Sequence, residues 1–216
     1  MNILNQFFDK IYCINLDSRV DRWDECVKMF SHYNLNVERV SAVITNKEIP
    51  GLKNGMVSLI TTTINILEDA KKNNYKNFLL LEDDVEFCDY VQEYDGKSFN
   101  ERFENNLQYL PENWKMFYLG SGIDTNEKSH VGGEIYQIRF AHTAHAVGFN
   151  NCFYDVCLEK LKSSVDANDI IYANLMREGH EIYSFYPNLA SQRPSFSNLE
   201  DRYVYYGHLR NYLFVK

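Results

Sequence analysis

The chain has 216 residues and a formal net charge of −8, with 45% hydrophobic and 15% aromatic residues. This length and composition are typical of a globular protein with one full domain, and they exclude a disordered chain. The negative charge argues against a general nucleic-acid-binding protein, because such proteins normally carry a basic surface.

The cysteines and the apolar segments indicate the compartment. The cysteines are dispersed and odd in number, and none forms a C-x-x-C pair, which favours reduced thiols over a disulfide framework or a structural zinc site. No stretch approaches the ~20 apolar residues of a membrane span, and the first apolar residues are too few for a signal peptide. We therefore expect a cytoplasmic protein. The high Asn, Lys, Tyr and Ile content is typical of an AT-rich bacterial or viral genome, so the expected compartment is a bacterial or virus-infected host cytosol. The cysteines are Cys13, Cys26, Cys88, Cys152 and Cys157.

In the first half of the chain, strand-like and helix-like segments alternate. Residues 11–16 predict a strand, and an apolar stripe through Trp23, Cys26 and Phe30 predicts the helix that follows it. Two successive strand–helix–strand units require parallel pairing and right-handed crossovers, so an α/β sheet is predicted. The later predicted elements of this half are a strand over 36–43, a helix over 55–72 and a strand over 78–81.

The second half continues the alternation with more loops. Ser98 and Glu101 have the spacing of a capping box, which predicts a helix that ends at Pro111. No internal repeat or linker separates the halves, so we expect one domain over 1–216. The other predicted elements are strands over 116–119, 134–140, 143–149 and 181–186, helices over 153–161 and 169–178, and loops over 88–98 and 124–133.

An acidic triplet follows the most apolar strand. Residues 78–81 form an uninterrupted apolar run, as in a strand buried on both faces, and Glu82, Asp83 and Asp84 come directly after it. Three unpaired carboxylates are too costly to bury, and ligands of open α/β sheets bind beyond the carboxyl ends of the strands. Mg²⁺ or Mn²⁺ is commonly held by carboxylates together with substrate phosphates. The triplet therefore predicts a metal site, and the alternative is a solvated acidic turn.

Two further segments indicate contacts to phosphate. Arg19 and Arg22 lie at a predicted helix start, where they would clamp a diphosphate through charge-assisted bonds; the alternative is a capping network with neighbouring aspartates. Gly55 and Ser58 lie at the start of another helix and permit close approach of a ligand, although both residues are ordinary at helix starts. G-x-G-x-x-G and GK[ST] motifs are absent.

Polar residues in the second half are candidates for catalysis. His145 lies in an apolar strand, where a core histidine is the plainer interpretation. Asp166 and Asp169 lie three residues apart at a helix start, so one of them is a candidate general base, and the alternative is a helix cap.

Taken together, these segments resemble glycosyltransferase family 25, which includes bacterial lipooligosaccharide and procollagen galactosyltransferases. The resemblance is carried by I-Y-C-I-N-L-D-S-R-V-D-R-W at 11–23, G-M-V-S at 55–58 and L-L-L-E-D-D at 79–84. Shorter matches at 144–146, 165–166, 186–187 and 197–200 extend it over essentially the whole chain. The sequence departs from the family pattern at Glu82, at Ser164 before Val165, where a Pro is common, and at Asn198, where an Asp is expected.

The resemblance implies a fold and an activity. The fold is a single GT-A-type, Rossmann-like mixed sheet flanked by helices, with a nucleotide-sugar-binding half at 1–90 and an acceptor and catalytic half at 91–216. The activity is metal-dependent transfer of a hexose, with inversion, from a nucleotide diphosphate sugar with UDP as the default. The acceptor is a hydroxyl of a glycan, lipid-linked or protein-linked molecule. The alternative is a non-catalytic nucleotide-sugar or glycan-binding module, which would not need Asp166 or Asp169.

Residue roles follow from the resemblance and from the chemistry of the transfer. Asp84 is the expected direct ligand of Mn²⁺ or Mg²⁺, with Glu82 and His208 as further ligands. Asp166 is the expected base, Asp169 is the second choice, and His145 is expected on the acceptor side. The predicted donor-binding residues are Asn15, Leu16, Asp17, Arg19, Arg22, Ser58, Glu82 and Asp83.

Overall fold

Apolar runs in the first half fold into parallel strands, as the sequence predicts. Strand β1 (Lys10–Asn15) pairs in parallel with β2 (Glu38–Ser41) on one side and with β3 (Asn77–Glu82) on the other. Helices α2 (Val20–His32) and α3 (Asn54–Lys72) make the two crossovers. The chain is described by a computed structural model that covers residues 2–46, 48–91, 96–123, 127–198 and 201–209, with the side chains of 90, 91 and 208 left out.

The second half adds antiparallel strands to the same sheet. Strand β10 (Ala146–Asn150) inserts between β3 and β5 (Met116–Tyr118) and runs antiparallel to both. Strand β11 (Ile182–Phe185) runs parallel to β5, and β8 (Ile135–Ile138) pairs with β11. The fold is thus mixed α/β in one domain, with an eight-stranded sheet flanked by helices. Its strand order is β2-β1-β3-β10-β5-β11-β8-β7, where β7 is Lys128–Gly132.

The remaining elements surround this sheet. Helix α5 (Phe99–Leu107) begins with the predicted capping box, in which Ser98 and Glu101 bond reciprocally. Strand β4 (Val85–Phe87) pairs antiparallel with β12 (Ala190–Gln192) directly after the acidic triplet. The other elements are α1 (Ile3–Phe7), α4 (Cys88–Val91), β6 (Gly122–Ile123), β9 (Ala141–His142), α6 (Tyr154–Ser163), α7 (Asn168–Arg177), β13 (Ser195–Ser197) and β14 (Arg202–Val204).

Two expectations about local structure are wrong. The predicted loop at 88–98 contains α4, and the predicted loop at 124–133 contains β7, although 92–95 and 124–126 lie outside the described residues. The tail after Pro187, for which the sequence analysis predicts no element, contains three short strands. These strands are too short for a clear alternating pattern, so pairing sets their conformation: β12 pairs with the distant strand β4, and β13 pairs with β14.

The central strand is buried on both faces, as its apolar run predicts. Leu79 and Leu81 pack into the core on one side of the sheet, and Phe78 and Leu80 pack into the core on the other. The acidic triplet follows at the carboxyl end of this strand, and the apolar core resumes directly after it at Val85 and Phe87. In the described part of the chain, no helix has both the length and the apolar character to cross a bilayer.

A close approach between the segment that follows β5 and strand β12 generates a prediction about stability. A Cβ atom on Gly120 would lie 1.8 Å from the Ala190 carbonyl oxygen, whereas one on Gly122 would meet no atom closer than 3.5 Å. Gly120→Ala is expected to lower the free energy of unfolding by about 1–3 kcal/mol or more, because the extra methyl group overpacks a backbone contact. Gly122→Ala is the matched control. Urea denaturation measures both variants, and equal midpoints would contradict the close contact.

Candidate active site

A pocket of about 480 Å³ opens where the parallel strands β1 and β3 end. Its position agrees with the rule that open α/β sheets bind ligands beyond the carboxyl ends of their strands, and its volume is within the range of small-molecule sites. Residues of both chain halves line it. Among the predicted site residues, the lining includes Asn15, Leu16, Arg22, Ser58, Glu82, Asp83, Asp84 and Asp169.

Two carboxylates of the triplet are buried and hold protein donors. Arg22 forms ion pairs with both: its Nη1 lies 2.7 Å from Asp83 Oδ1, and its Nη2 contacts Asp84 Oδ2. The second oxygen of Asp83 accepts a bond of 2.6 Å from Asn15 Nδ2. The second oxygen of Asp84 accepts a bond of 3.3 Å from Gln192 Nε2. All four carboxylate oxygens are therefore engaged, which offsets the cost of burying the two charges.

Strand β12 fixes the backbone of the same turn. The amide N–H of Arg193 donates to the Asp84 carbonyl oxygen at 2.7 Å. Its guanidinium donates to the carbonyl oxygens of Asp83 at 2.6 Å and Val85 at 3.0 Å. The sequence analysis missed Gln192 and Arg193. The segment A-S-Q-R at 190–193 lacks the apolar–polar alternation of a strand, and it follows the triplet by more than a hundred residues.

Glu82 differs from its two neighbours. It lines the pocket, and among the described residues no side chain donates to it. Burial, followed by the negative charges of Asp84 and Asp83, raises the pKa of Glu82 to about 8. Burial also raises the pKa of Asp83, although Arg22 opposes that shift. The negative charges of Asp83 and Asp84 thus act on Glu82 at the pocket wall.

This arrangement does not fit a metal ion held by Asp84. A cation at that carboxylate would have to displace Arg22 or Gln192, since each oxygen already has a donor. Within the described ranges, no three His, Cys, Asp or Glu side chains come together as a metal-binding group. The side chain of His208, a predicted further ligand, lies outside the described part of the chain. The need for Mn²⁺ or Mg²⁺ therefore stays a prediction.

The first strand-to-helix turn is a network of side chains. Asn15 is buried and also accepts from the Arg39 guanidinium at 2.7 and 2.9 Å. Asp17 is exposed and binds Arg39 and Ser41. Arg19 binds Asp21 and the Phe196 carbonyl oxygen. The pocket lining includes Asn15 but neither Asp17 nor Arg19, so these two predicted donor residues lie beside the pocket in this structure.

Helix α3 anchors both sides of the pocket through adjacent threonines. Thr62 Oγ1 accepts a bond of 2.9 Å from the Val43 amide, and Thr63 Oγ1 accepts a bond of 2.9 Å from Asn168 Nδ2. Ser58, a predicted donor residue, lines the pocket and accepts from the Thr45 amide at 3.4 Å. The sequence analysis predicted Ser58 as a site residue but missed Thr62 and Thr63, because threonines at these positions are ordinary in an amphipathic helix.

The two candidate bases occupy different positions. Asp169 lies in the first turn of α7 and lines the pocket, whereas Asp166 precedes the helix and is absent from the lining. Asp166 binds Ser164, both through its backbone N–H and through its carboxylate. Ala167 is the N-cap residue and makes no side-chain cap bond. The geometry thus favours the second choice over the first, and neither carboxylate is the helix cap.

His145, predicted on the acceptor side, lies in the core and does not line the pocket. Its side chain is fully buried and is absent from the pocket lining. Nε2 contacts the Ala190 carbonyl oxygen at 3.2 Å, and burial lowers the pKa of the ring. The plainer interpretation, a core histidine that packs β10 against β12, describes this geometry.

Comparison with known proteins identifies the fold and not the family. No family profile and no curated protein matches the chain. A glycosyltransferase involved in glycosylation of the major capsid of PBCV-1 is similar in structure, with a TM-score of 0.52 and 10% identity over 89% of this chain and 95% of that chain. The shared fold is therefore that of a glycosyltransferase, whereas membership of family 25 stays a prediction.

Two other solved structures are more weakly similar. A197 from STIV has a TM-score of 0.45 and 10% identity over 84% of this chain and 82% of that chain. A mannose-1-phosphate geranyltransferase from Thermus thermophilus has a TM-score of 0.40 and 11% identity over 81% of this chain and 58% of that chain. At these scores neither likeness supports a conclusion about this chain.

The ion pairs of Arg22 generate a prediction about metal binding. Arg22→Gln is expected to bind Mn²⁺ roughly tenfold more tightly than the wild type, because it frees two carboxylates and removes a positive charge. Titration calorimetry with MnCl₂ measures the affinity.

Arg177→Gln is the charge-matched control, since the Arg177 guanidinium lies 4.3 Å from the Phe140 ring centroid and is not part of the pocket lining. If both variants bind Mn²⁺ equally, Asp83 and Asp84 do not form the predicted cation site.

Proposed function

We propose that the chain is a glycosyltransferase that moves a hexose from a nucleoside diphosphate sugar to a hydroxyl group of a glycan or glycoconjugate. The observation that carries this proposal is the acidic pocket at the carboxyl ends of β1 and β3, on a fold shared with a glycosyltransferase. A uridine nucleotide and inversion at the anomeric carbon are the specific forms that the sequence resemblance favours.

The polar groups of the pocket suit the two ends of such a donor. The departing diphosphate carries negative charge, and Arg22 is the pocket residue that brings a guanidinium to this wall. Because Arg22 already pairs with Asp83 and Asp84, a phosphate would have to share the guanidinium with these carboxylates. The guanidinium is also oriented in advance by Asp83 and Asp84, so little side-chain entropy is lost when a phosphate arrives. The sugar is uncharged and rich in hydroxyl groups, which carboxylate and amide oxygens bind.

Asp169 is the proposed general base. A base must reach the acceptor hydroxyl, and Asp169 is the member of the 166–169 pair that lines the pocket. It also lies in the first turn of α7. Proton removal would make the acceptor oxygen nucleophilic as the bond from sugar to diphosphate breaks.

A donor screen tests the proposal directly. The protein is incubated with UDP-glucose, UDP-galactose or GDP-mannose, with and without MnCl₂, and release of free nucleoside diphosphate is measured. We expect release from one donor in preference to the others. Binding of a donor without release or transfer would indicate the non-catalytic binding module, and absence of binding would contradict both functions.

The two aspartates generate a prediction about turnover. Asp169→Asn is expected to slow transfer by roughly a hundredfold, the lower end of what general-base catalysis contributes, because an amide cannot accept the proton. Donor affinity is expected to stay near the wild-type value.

Asp166→Asn is the matched comparison and makes the same chemical change outside the pocket. If Asp166→Asn is the slow variant and Asp169→Asn is active, the base lies where the sequence resemblance places it.

A further inference from the structure

Asn168 has an amide group that the proposed chemistry does not use. It is the first residue of α7 and lines the pocket, and only 7% of its surface is exposed. Its carbonyl oxygen Oδ1 is buried, and no described group donates a hydrogen bond to it. A buried acceptor without a donor costs about 1–3 kcal/mol, so this oxygen requires an explanation.

Thr63 determines which end of the amide is left over. A threonine hydroxyl has one hydrogen, and Thr63 donates it to the Leu59 carbonyl oxygen at 2.9 Å, one turn earlier in α3. The same hydroxyl can therefore only accept from Asn168, and the bond of 2.9 Å must come from Nδ2–H. This bond assigns the orientation of the amide and leaves Oδ1 as its unpaired end.

Two other polar residues of the pocket lining, Asp169 and Thr143, make no hydrogen bond to this oxygen. Its neighbour Asp169 lines the pocket, and its Oδ1 accepts from the Ile170 amide. Thr143, another lining residue, has a buried hydroxyl oxygen without a partner. The described residues thus make no hydrogen bond to Asn168 Oδ1, and an uncharged ligand with hydroxyl groups would supply a donor.

We propose that Asn168 is a specificity-determining residue that accepts a hydrogen bond from a hydroxyl group of the donor sugar, with Thr63 as its positioning residue. The inference rests on the proposed function and names the class of sugar: a hexose with a free hydroxyl at the position that faces Asn168, in preference to its deoxy analogue. A site that accepts from a hydroxyl discriminates against ligands that lack it.

The test compares nucleotide and nucleotide-sugar affinities. Dissociation constants are measured by titration calorimetry for UDP, for UDP-glucose or UDP-galactose, and for analogues in which one sugar hydroxyl at a time is replaced by hydrogen. Asn168→Ala is expected to weaken binding of the UDP-hexose by roughly tenfold, the size of one hydrogen bond, and to leave UDP affinity unchanged. One deoxy analogue is expected to lose affinity for the wild type and none for Asn168→Ala.

Matched variants separate a direct contact from a structural effect. Asn174→Ala makes the same change at an exposed position of the same helix and is expected to bind every ligand like the wild type. Thr63→Val is expected to weaken UDP-hexose binding without affecting UDP, and Thr63→Ser, which keeps the hydroxyl, is expected to restore it.

Three results would overturn the inference. Equal loss of UDP and UDP-hexose affinity in Asn168→Ala would show a structural role and leave the proposed function standing. Unchanged UDP-hexose affinity would show that a water molecule, and not the sugar, pairs with Oδ1. Failure of the wild type to bind UDP or any UDP-hexose would contradict both the proposed uridine donor and the inference about Asn168.

Discussion

Burial of two aspartates at the end of β3 is the constraint on which the pocket depends. Each is only 6% exposed, and a buried charge without partners is too costly for a folded protein. Their partners come from β1, α2 and β12 through Asn15, Arg22 and Gln192. The two buried carboxylates therefore need partners from three elements that are remote from this turn in sequence. The pocket lies where these elements meet.

Much of the fold could be predicted because apolar runs report burial directly. The uninterrupted run at 78–81 identifies a central strand, and its side chains do alternate between the two cores. The insertion of β10 between β3 and β5 was not predicted, since an apolar strand gives no indication of its direction. Strand β12 was missed for a different reason: its pairing with β4 is imposed by tertiary contacts and has no local pattern.

The candidate site was predicted in composition more than in geometry. Acidic residues after a buried strand indicate a ligand-binding edge, and the pocket does lie there. The sequence could not show that Arg22 pairs with the carboxylates, because a run of charges does not state which opposite charge lies nearest. Asn168 and Arg193 were missed because a single asparagine or arginine has many ordinary uses. Their significance depends on direction and burial, which only coordinates provide.

The antiparallel contact between β4 and β12 also has a consequence for biosynthesis. Arg193 follows Asp83 by 110 residues, so at ~5–20 residues per second a ribosome needs roughly 5–20 s to deliver it. During that interval the acidic turn has only the partners that precede it in the chain, Asn15 and Arg22. The nascent chain therefore keeps this turn in water until the last strands emerge. The ligand pocket is completed only late in translation, after most of the sheet has been made.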